Sequence, residues 1–221
     1  MYTVVISGAD GKMGKIAIQA INQAKELECI GQITRNDNFK TELLQRKPDI
    51  LIDFTTPEMV YQHTLTTIDL GIRPVIGTSG LTIEQVEKLK EHANRLGVSG
   101  VIAPNFCQSA ILMMQFSALA AKHYDSANII EQHHPNKIDA PSGTAIKTAD
   151  IIKGNIKDVA IKSIRRPGVI AKQSVIFSNQ HETLTIEQDS IGRESFIPGI
   201  IFACKHVMQT NSFTYGLENI L

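Results

Sequence analysis

A chain of 221 residues with 22 basic and 22 acidic side chains has no formal net charge, so it lacks an overall field for gathering nucleic acid or an anionic membrane. No apolar run approaches membrane-spanning length, and Met1-Tyr2-Thr3-Val4-Val5-Ile6 runs into a strand without a basic leader. A soluble, cytoplasmic protein is expected.

Thr3 to Ile6 is a β-branched run followed by Gly8-Ala9-Asp10-Gly11-Lys12-Met13-Gly14 and then by Ile16, Ala17, Ala20, Ile21 and Ala24 at helical spacing. Strand, glycine turn and helix in this order make a dinucleotide cradle. Gly8 permits the tight turn, Gly11 lets a pyrophosphate approach the helix start, and Gly14 lets helix pack closely on strand. Glu28 to Ile33 predicts a second strand, whose end lies near the adenosine ribose in such a fold. Thr34-Arg35-Asn36-Asp37 stands there: arginine suits the 2′-phosphate of NADPH, Asp37 keeps NADH open, and Arg35 reads equally well as a solvated loop residue.

Asp49 to Phe54 reads as a third, buried parallel strand, and Thr55-Thr56-Pro57-Glu58 opens a helix that ends near Gly71, with His63 at a structural position of its repeat. Pro74 to Ile76 is a fourth strand, and Gly77-Thr78-Ser79-Gly80 a loop suited to the nicotinamide half of the cofactor. Thr82-Ile83-Glu84-Gln85 predicts a capping box and Gly97 a helix stop. Val98 to Ile102 is the fifth strand. The alternation predicts a Rossmann-like, doubly wound α/β domain over 1–105 with its ligand at the carboxyl ends of the strands.

Beyond Phe106 the pattern changes. A helix over 109–123, a strand into His133, a helix from Thr144 and strands over 161–165, 169–178 and 183–188 predict an α+β domain with an open mixed sheet over 106–200. A helix after Pro198 returns the chain, so 201–221 is assigned to the first domain. Cys29, Cys107 and Cys204 read as reduced core thiols. No Cys-x-x-Cys occurs, and adjacent histidines are poorly spaced for joint ligation, so no metal is expected.

The chemistry concentrates in Glu131-Gln132-His133-His134-Pro135-Asn136-Lys137-Ile138-Asp139-Ala140-Pro141-Ser142-Gly143-Thr144-Ala145. Gly143 and Thr144 open a helix whose free N–H groups suit a carboxylate. Lys137 can pair with the same anion or donate a proton. His133 and His134 end a strand, where alternation sends them to opposite faces, so only one enters a shared pocket while the strand persists.

Together these motifs resemble dihydrodipicolinate reductases over almost the whole length. The resemblance rests on Gly8 to Gly14, Asp53-Phe54-Thr55, Gly77-Thr78-Ser79-Gly80, Ala103-Pro104-Asn105-Phe106, and His133-His134 with Lys137 to Ala145. It implies reduction of a cyclic dicarboxylate by NADPH or NADH on the diaminopimelate route to lysine. His133 is then the acid/base, Lys137 the proton donor, and His134, Gly143 and Thr144 substrate contacts. Gly8, Ala9, Asp10, Gly11, Lys12, Met13, Arg35, Gly77, Thr78, Ser79, Ala103, Pro104, Asn105 and Phe106 become cofactor contacts. The resemblance also implies a homotetramer formed through the second domain's sheet, and domain closure on binding. Pro135-Asn136 departs from members that carry Arg-His there and thins the cationic pocket. Two other readings share the domain plan: an aspartate-family dehydrogenase acting on an amino-acid aldehyde, and a non-catalytic NADPH-binding sensor.

Overall fold

In the computed structural model, which describes residues 1–221, the apolar runs of the first hundred residues form the strands β1 (Tyr2–Ser7), β2 (Leu27–Ile33), β3 (Ile50–Asp53), β4 (Arg73–Ile76) and β5 (Gly100–Ile102). They alternate with helices α1 (Lys12–Gln23), α2 (Phe39–Arg46), α3 (Pro57–Asp69) and α4 (Ile83–Leu96). The sequence then gives α5 (Gln108–Ala120), β6 (Ser126–His133), α6 (Gly143–Lys153), β7 (Asp158–Arg165), β8 (Ala171–Ser178) and β9 (Thr183–Ser190), and closes with α7 (Ile197–Gln209) and β10 (Phe213–Tyr215). Two compact units result: Met1–Phe106 with Phe196–Leu221, and Cys107–Ser195.

The first unit is a parallel sheet in the order β10-β5-β4-β3-β1-β2. Val4, Val5, Ile6, Ile50, Leu51, Ile52, Val75 and Ile76 are all fully buried, as helices on both faces require. Burying each such side chain contributes about 1.5–3 kcal/mol before conformational entropy is charged against it. Chain order reverses beside β1, which has β2 on one side and β3 on the other, so the switch-point crevice opens at the carboxyl ends of these three strands. The capping box at Thr82 and Gln85 forms with both reciprocal bonds, and Gly97 ends α4 in the left-handed region at φ 67.

Three features differ from the sequence reading. Residues after Asn38 form the helix α2, a segment for which the sequence reading gave no element. The Asn38 side chain accepts from the Thr41 N–H at 3.0 Å, and Lys47 closes the far end in the left-handed region. With Leu43 as its one buried residue, α2 has no apolar period to read. The short β10 adds a sixth strand beside β5. The return to the first unit begins at Phe196 rather than 201, and α7 packs on α1, β4 and β5.

The second unit is a mixed sheet in the order β7-β6-β8-β9, with β6 parallel to β7 and antiparallel to β8. Helices α5 and α6 cover one face, over Ala127, Ile129, Val175 and Phe177. On that same face the register sets Ser163, Glu131, Gln173 and Gln188 side by side as a polar row across the strands. The opposite face carries the half-buried Ile130 and Ile176, and Lys172 reaches Glu187 at 2.7 Å and Asp189 at 3.5 Å.

Candidate functional site

A cavity of about 620 Å³ occupies the switch-point crevice of the first unit. Gly8, Asp10, Gly11 and Arg35 line it, joined by Thr55 and His63. The glycine turn is built for close approach. Gly8 sits at φ +77, where a Cβ would come within 2.6 Å of the Phe54 carbonyl carbon, and Gly11 caps α1 without a side-chain bond, leaving the helix start open. A pyrophosphate fits such a start, so the residues present suit a dinucleotide.

The other expected cofactor residues lie behind or beside this lining. Ala9 is buried, and Lys12 and Met13 form the first turn of α1. Thr78 is buried, its hydroxyl donating to Asp53 Oδ1 at 2.5 Å and accepting from the Thr55 N–H at 2.8 Å. Gly77 lies against the Phe54 ring, where a Cβ would stand 2.7 Å from Cδ1, and the Phe106 ring meets Phe54 edge-on at 5.6 Å. Phe54 lines the cavity, so Gly77 and Phe106 support its wall. Ser79 and Pro104 are exposed, Asn105 is half-buried and Ala103 is buried.

The hub of this wall is Asp53, which sequence reasoning assigned no role. Fully buried at the end of β3, it accepts from Thr55 N–H at 3.0 Å, Thr55 Oγ1 at 2.7 Å and Thr78 Oγ1, and its Oδ2 lies 3.0 Å from His63 Nδ1. His63 also stacks on Phe39 at 3.8 Å between ring centroids. Its structural reading from the helical repeat therefore omits that the ring faces the cavity. At the rim Asp37 Oδ2 accepts from the Thr34 N–H and hydroxyl, both at 2.8 Å, and these bonds hold its carboxyl below the usual range.

In the second unit, β6 delivers His133 and the loop to α6 delivers Lys137. Ser142 caps α6, accepting from the Ala145 N–H at 3.2 Å, which places Gly143 and Thr144 in the first turn. A Cβ on Gly143 would meet nothing within 4 Å, so the space over the helix start is open. Lys137 Nζ donates to Asp139 Oδ1 at 2.8 Å, a bond that lowers the Asp139 carboxyl. His134 follows the end of the strand and is half-buried.

Beneath His133 lies Glu131, fully buried, with Oε2 2.5 Å from His133 Nδ1. Burial is the largest influence on Glu131 and acts to raise its pKa, yet bonds from Ser163, His133 and Arg165 together outweigh it and hold the carboxyl low. Burial likewise dominates at His133 and depresses the imidazole below the ordinary range, against the upward pull of Glu131. Glu131 and Arg165 carried no role in the sequence reading. The strand alternation that separates His133 from His134 puts residue 131 on the face of 133, which was the available signal.

Family profiles for the dihydrodipicolinate reductase N-terminus and C-terminus match residues 2–106 and 109–221. The chain belongs to the dihydrodipicolinate reductase family. Within it, the chain is 39% identical over 239 residues to a 4-hydroxy-tetrahydrodipicolinate reductase of Legionella pneumophila, covering 99% of this chain and 98% of the relative. It is 41% identical over 235 residues, with the same coverage, to one from Coxiella burnetii. The solved dipicolinate-bound dihydrodipicolinate reductase of Paenisporosarcina sp. TG-14 superposes with a TM-score of 0.91 at 33% identity, covering 100% of both chains. Family membership makes the chain a pyridine-nucleotide-dependent oxidoreductase. No helix is long and apolar enough to cross a membrane, and no group of three or more His, Cys, Asp or Glu residues is placed to hold a metal ion.

Proposed function

We propose that this chain reduces 4-hydroxy-tetrahydrodipicolinate to tetrahydrodipicolinate with a pyridine nucleotide, on the diaminopimelate route to lysine. The observation that carries the reading is the joining, within one unit, of His133, Lys137 and the open start of α6. A cyclic dicarboxylate needs cationic or N–H donors for its carboxylates. The Gly143 and Thr144 N–H groups receive one of them, with Lys137 and His134 supplying further donors. The bound cofactor supplies hydride. The 4-hydroxyl leaves as water to give a conjugated imine. Hydride addition to that imine leaves an electron-rich carbon that must be protonated, and Lys137 and His133 are the groups assigned to donate and relay that proton.

The test is a coupled assay in which pyruvate and aspartate semialdehyde generate the unstable substrate in place, followed by loss of NADPH or NADH absorbance. Substrate-dependent oxidation is expected. Protein that binds NADPH yet oxidises neither cofactor would return the choice to an aspartate-family dehydrogenase or a sensor.

NADPH is the preferred cofactor in this reading. Asp37 spends an oxygen on Thr34, which closes its own turn, while Arg35 is exposed on the cavity rim. A ribose 2′-phosphate there finds a cation rather than a free carboxylate. Arg35→Ala is therefore expected to raise the KM for NADPH by about 10- to 100-fold, the worth of a charged hydrogen bond, and to leave NADH use nearly unaltered. Equal losses with both cofactors would remove Arg35 from the 2′-position. The open face of the second unit's sheet, with Ile130 and Ile176 half-buried, supports a homotetramer, and sedimentation should give four times the 24.3 kDa chain mass.

A further inference from the structure

A fully buried carboxylate persists only when its lone pairs are occupied, and those of Glu131 are occupied by His133, Arg165 and the start of α6, with Ser163 bonding as well. His133 Nδ1 stands 2.5 Å from Oε2, and Arg165 Nη1 donates to both oxygens at 3.1 Å. The backbone N–H of Ser142, the cap of α6, donates to Oε1 at 3.3 Å. Arg165 then reaches onward, through Nη2 to the Asp139 carbonyl at 2.6 Å and through Nε to the Lys137 carbonyl at 3.3 Å. The His133 ring, the start of α6 and the Lys137 loop are thus referred to one buried group.

We infer that Glu131 is a positioning residue for the reduction: it fixes the His133 ring with Nδ1 bonded inward, leaving Nε2 as the atom that exchanges protons, and with Arg165 it sets the Lys137 loop. The inference rests on the reading of His133 as the acid/base. Because the Glu131 carboxyl is held low it is ionised and accepts, so Nδ1 is the donor. A neutral ring then offers a lone pair at Nε2, and a charged ring offers an Nε2 proton to the substrate.

The charges facing the ring are Glu131 on its own strand, Arg165 on β7, and Lys137 and Asp139 on the loop, while β8 sets the uncharged Ala171 opposite. Burial, Lys137 and Arg165 favour the neutral ring, and Glu131 favours the charged one. A dianionic substrate adds to the pull of Glu131. The carboxylate therefore works against the burial that otherwise holds the ring neutral.

Glu131→Gln keeps the shape and an acceptor oxygen but removes the charge. We expect kcat to fall by roughly 10- to 100-fold, with the NADPH dissociation constant unaltered. Activity that needs the charged ring is lost as pH rises through the His133 pKa. Since the variant lowers that pKa, its basic limb should move to lower pH, which a loss of folded protein alone would not produce. His133→Gln is measured alongside. If His133→Gln is slow while Glu131→Gln turns over normally with an unmoved limb, the positioning inference is wrong and the acid/base reading stands. If His133→Gln turns over normally, the acid/base reading falls and takes the inference with it. Should Glu131→Gln fail to fold, the ring-nitrogen NMR spectrum of the unaltered protein decides. A proton on Nδ1 with Nε2 bare above the His133 pKa supports the inference, and the opposite tautomer overturns it.

Discussion

Lys137→Ala is expected to lower kcat by roughly 10²- to 10³-fold while leaving the NADPH dissociation constant within about twofold of the parent value, the magnitude usual for loss of a positioned proton donor. The separation of effects follows from where the side chain stands. Lys137 lies in the loop between β6 and α6, whereas the dinucleotide cavity is lined by the first unit. Removal of the ammonium should also leave the loop in place, because Arg165 holds it through the Lys137 and Asp139 carbonyls rather than through the lysine side chain. The pair with Asp139 is half open to solvent on the acidic side, 58% exposed, and such pairs are worth about 0–1 kcal/mol. A substrate carboxylate can therefore displace Asp139 at little cost. Stopped-flow single turnovers and a fluorescence titration with NADPH would check both halves of the expectation. Normal turnover with lost NADPH affinity would move Lys137 to the cofactor.

What the sequence made legible was local. The strand, glycine turn and helix from Tyr2 to Gln23 declare themselves because each glycine answers a contact within that segment or beside it, and Thr82 with Gln85 needs nothing beyond four residues. The stretch from His133 to Thr144 was legible for the same reason: loop, cap and helix start are contiguous. Glu131 with Arg165 was not, since that pair is created by the parallel register of β6 on β7, which sets His133 opposite Arg165 across 32 positions of chain. Asp53 hid in an apolar strand whose polar end matters only once Thr78 and His63 are brought to it from other elements. Helix α2 left almost no trace, since its cap at Asn38 precedes a segment with a single buried residue. The motif around Gly77 to Ser79 was readable as a motif, but its geometry was not: Thr78 faces Asp53 rather than the cavity lining.

Gly14→Ala should cost the protein both stability and cofactor affinity. The added methyl carbon would stand 2.7 Å from the Ala9 Cα and 2.8 Å from the Gly8 carbonyl carbon, and closer still to the Gly8 oxygen. All three are backbone atoms, so no rotamer relieves the overlap, and α1 must lift from the turn after β1. Overpacking of this kind costs about 1–3 kcal/mol or more, and a chain of this size loses about 2–4 °C of Tm per kcal/mol. The same shift opens the Gly8 to Gly11 lining, so NADPH binding should weaken alongside. Gly143→Ala provides the contrast, because its methyl meets nothing within 4 Å and a helix start accepts alanine. Thermal unfolding should be unchanged in that variant and NADPH affinity retained, while the KM for the dicarboxylate rises as the methyl occupies the approach to the α6 N–H groups. Thermal melts with parallel NADPH titrations on the two variants separate the roles: one glycine is needed so that backbones touch, and the other so that a ligand can.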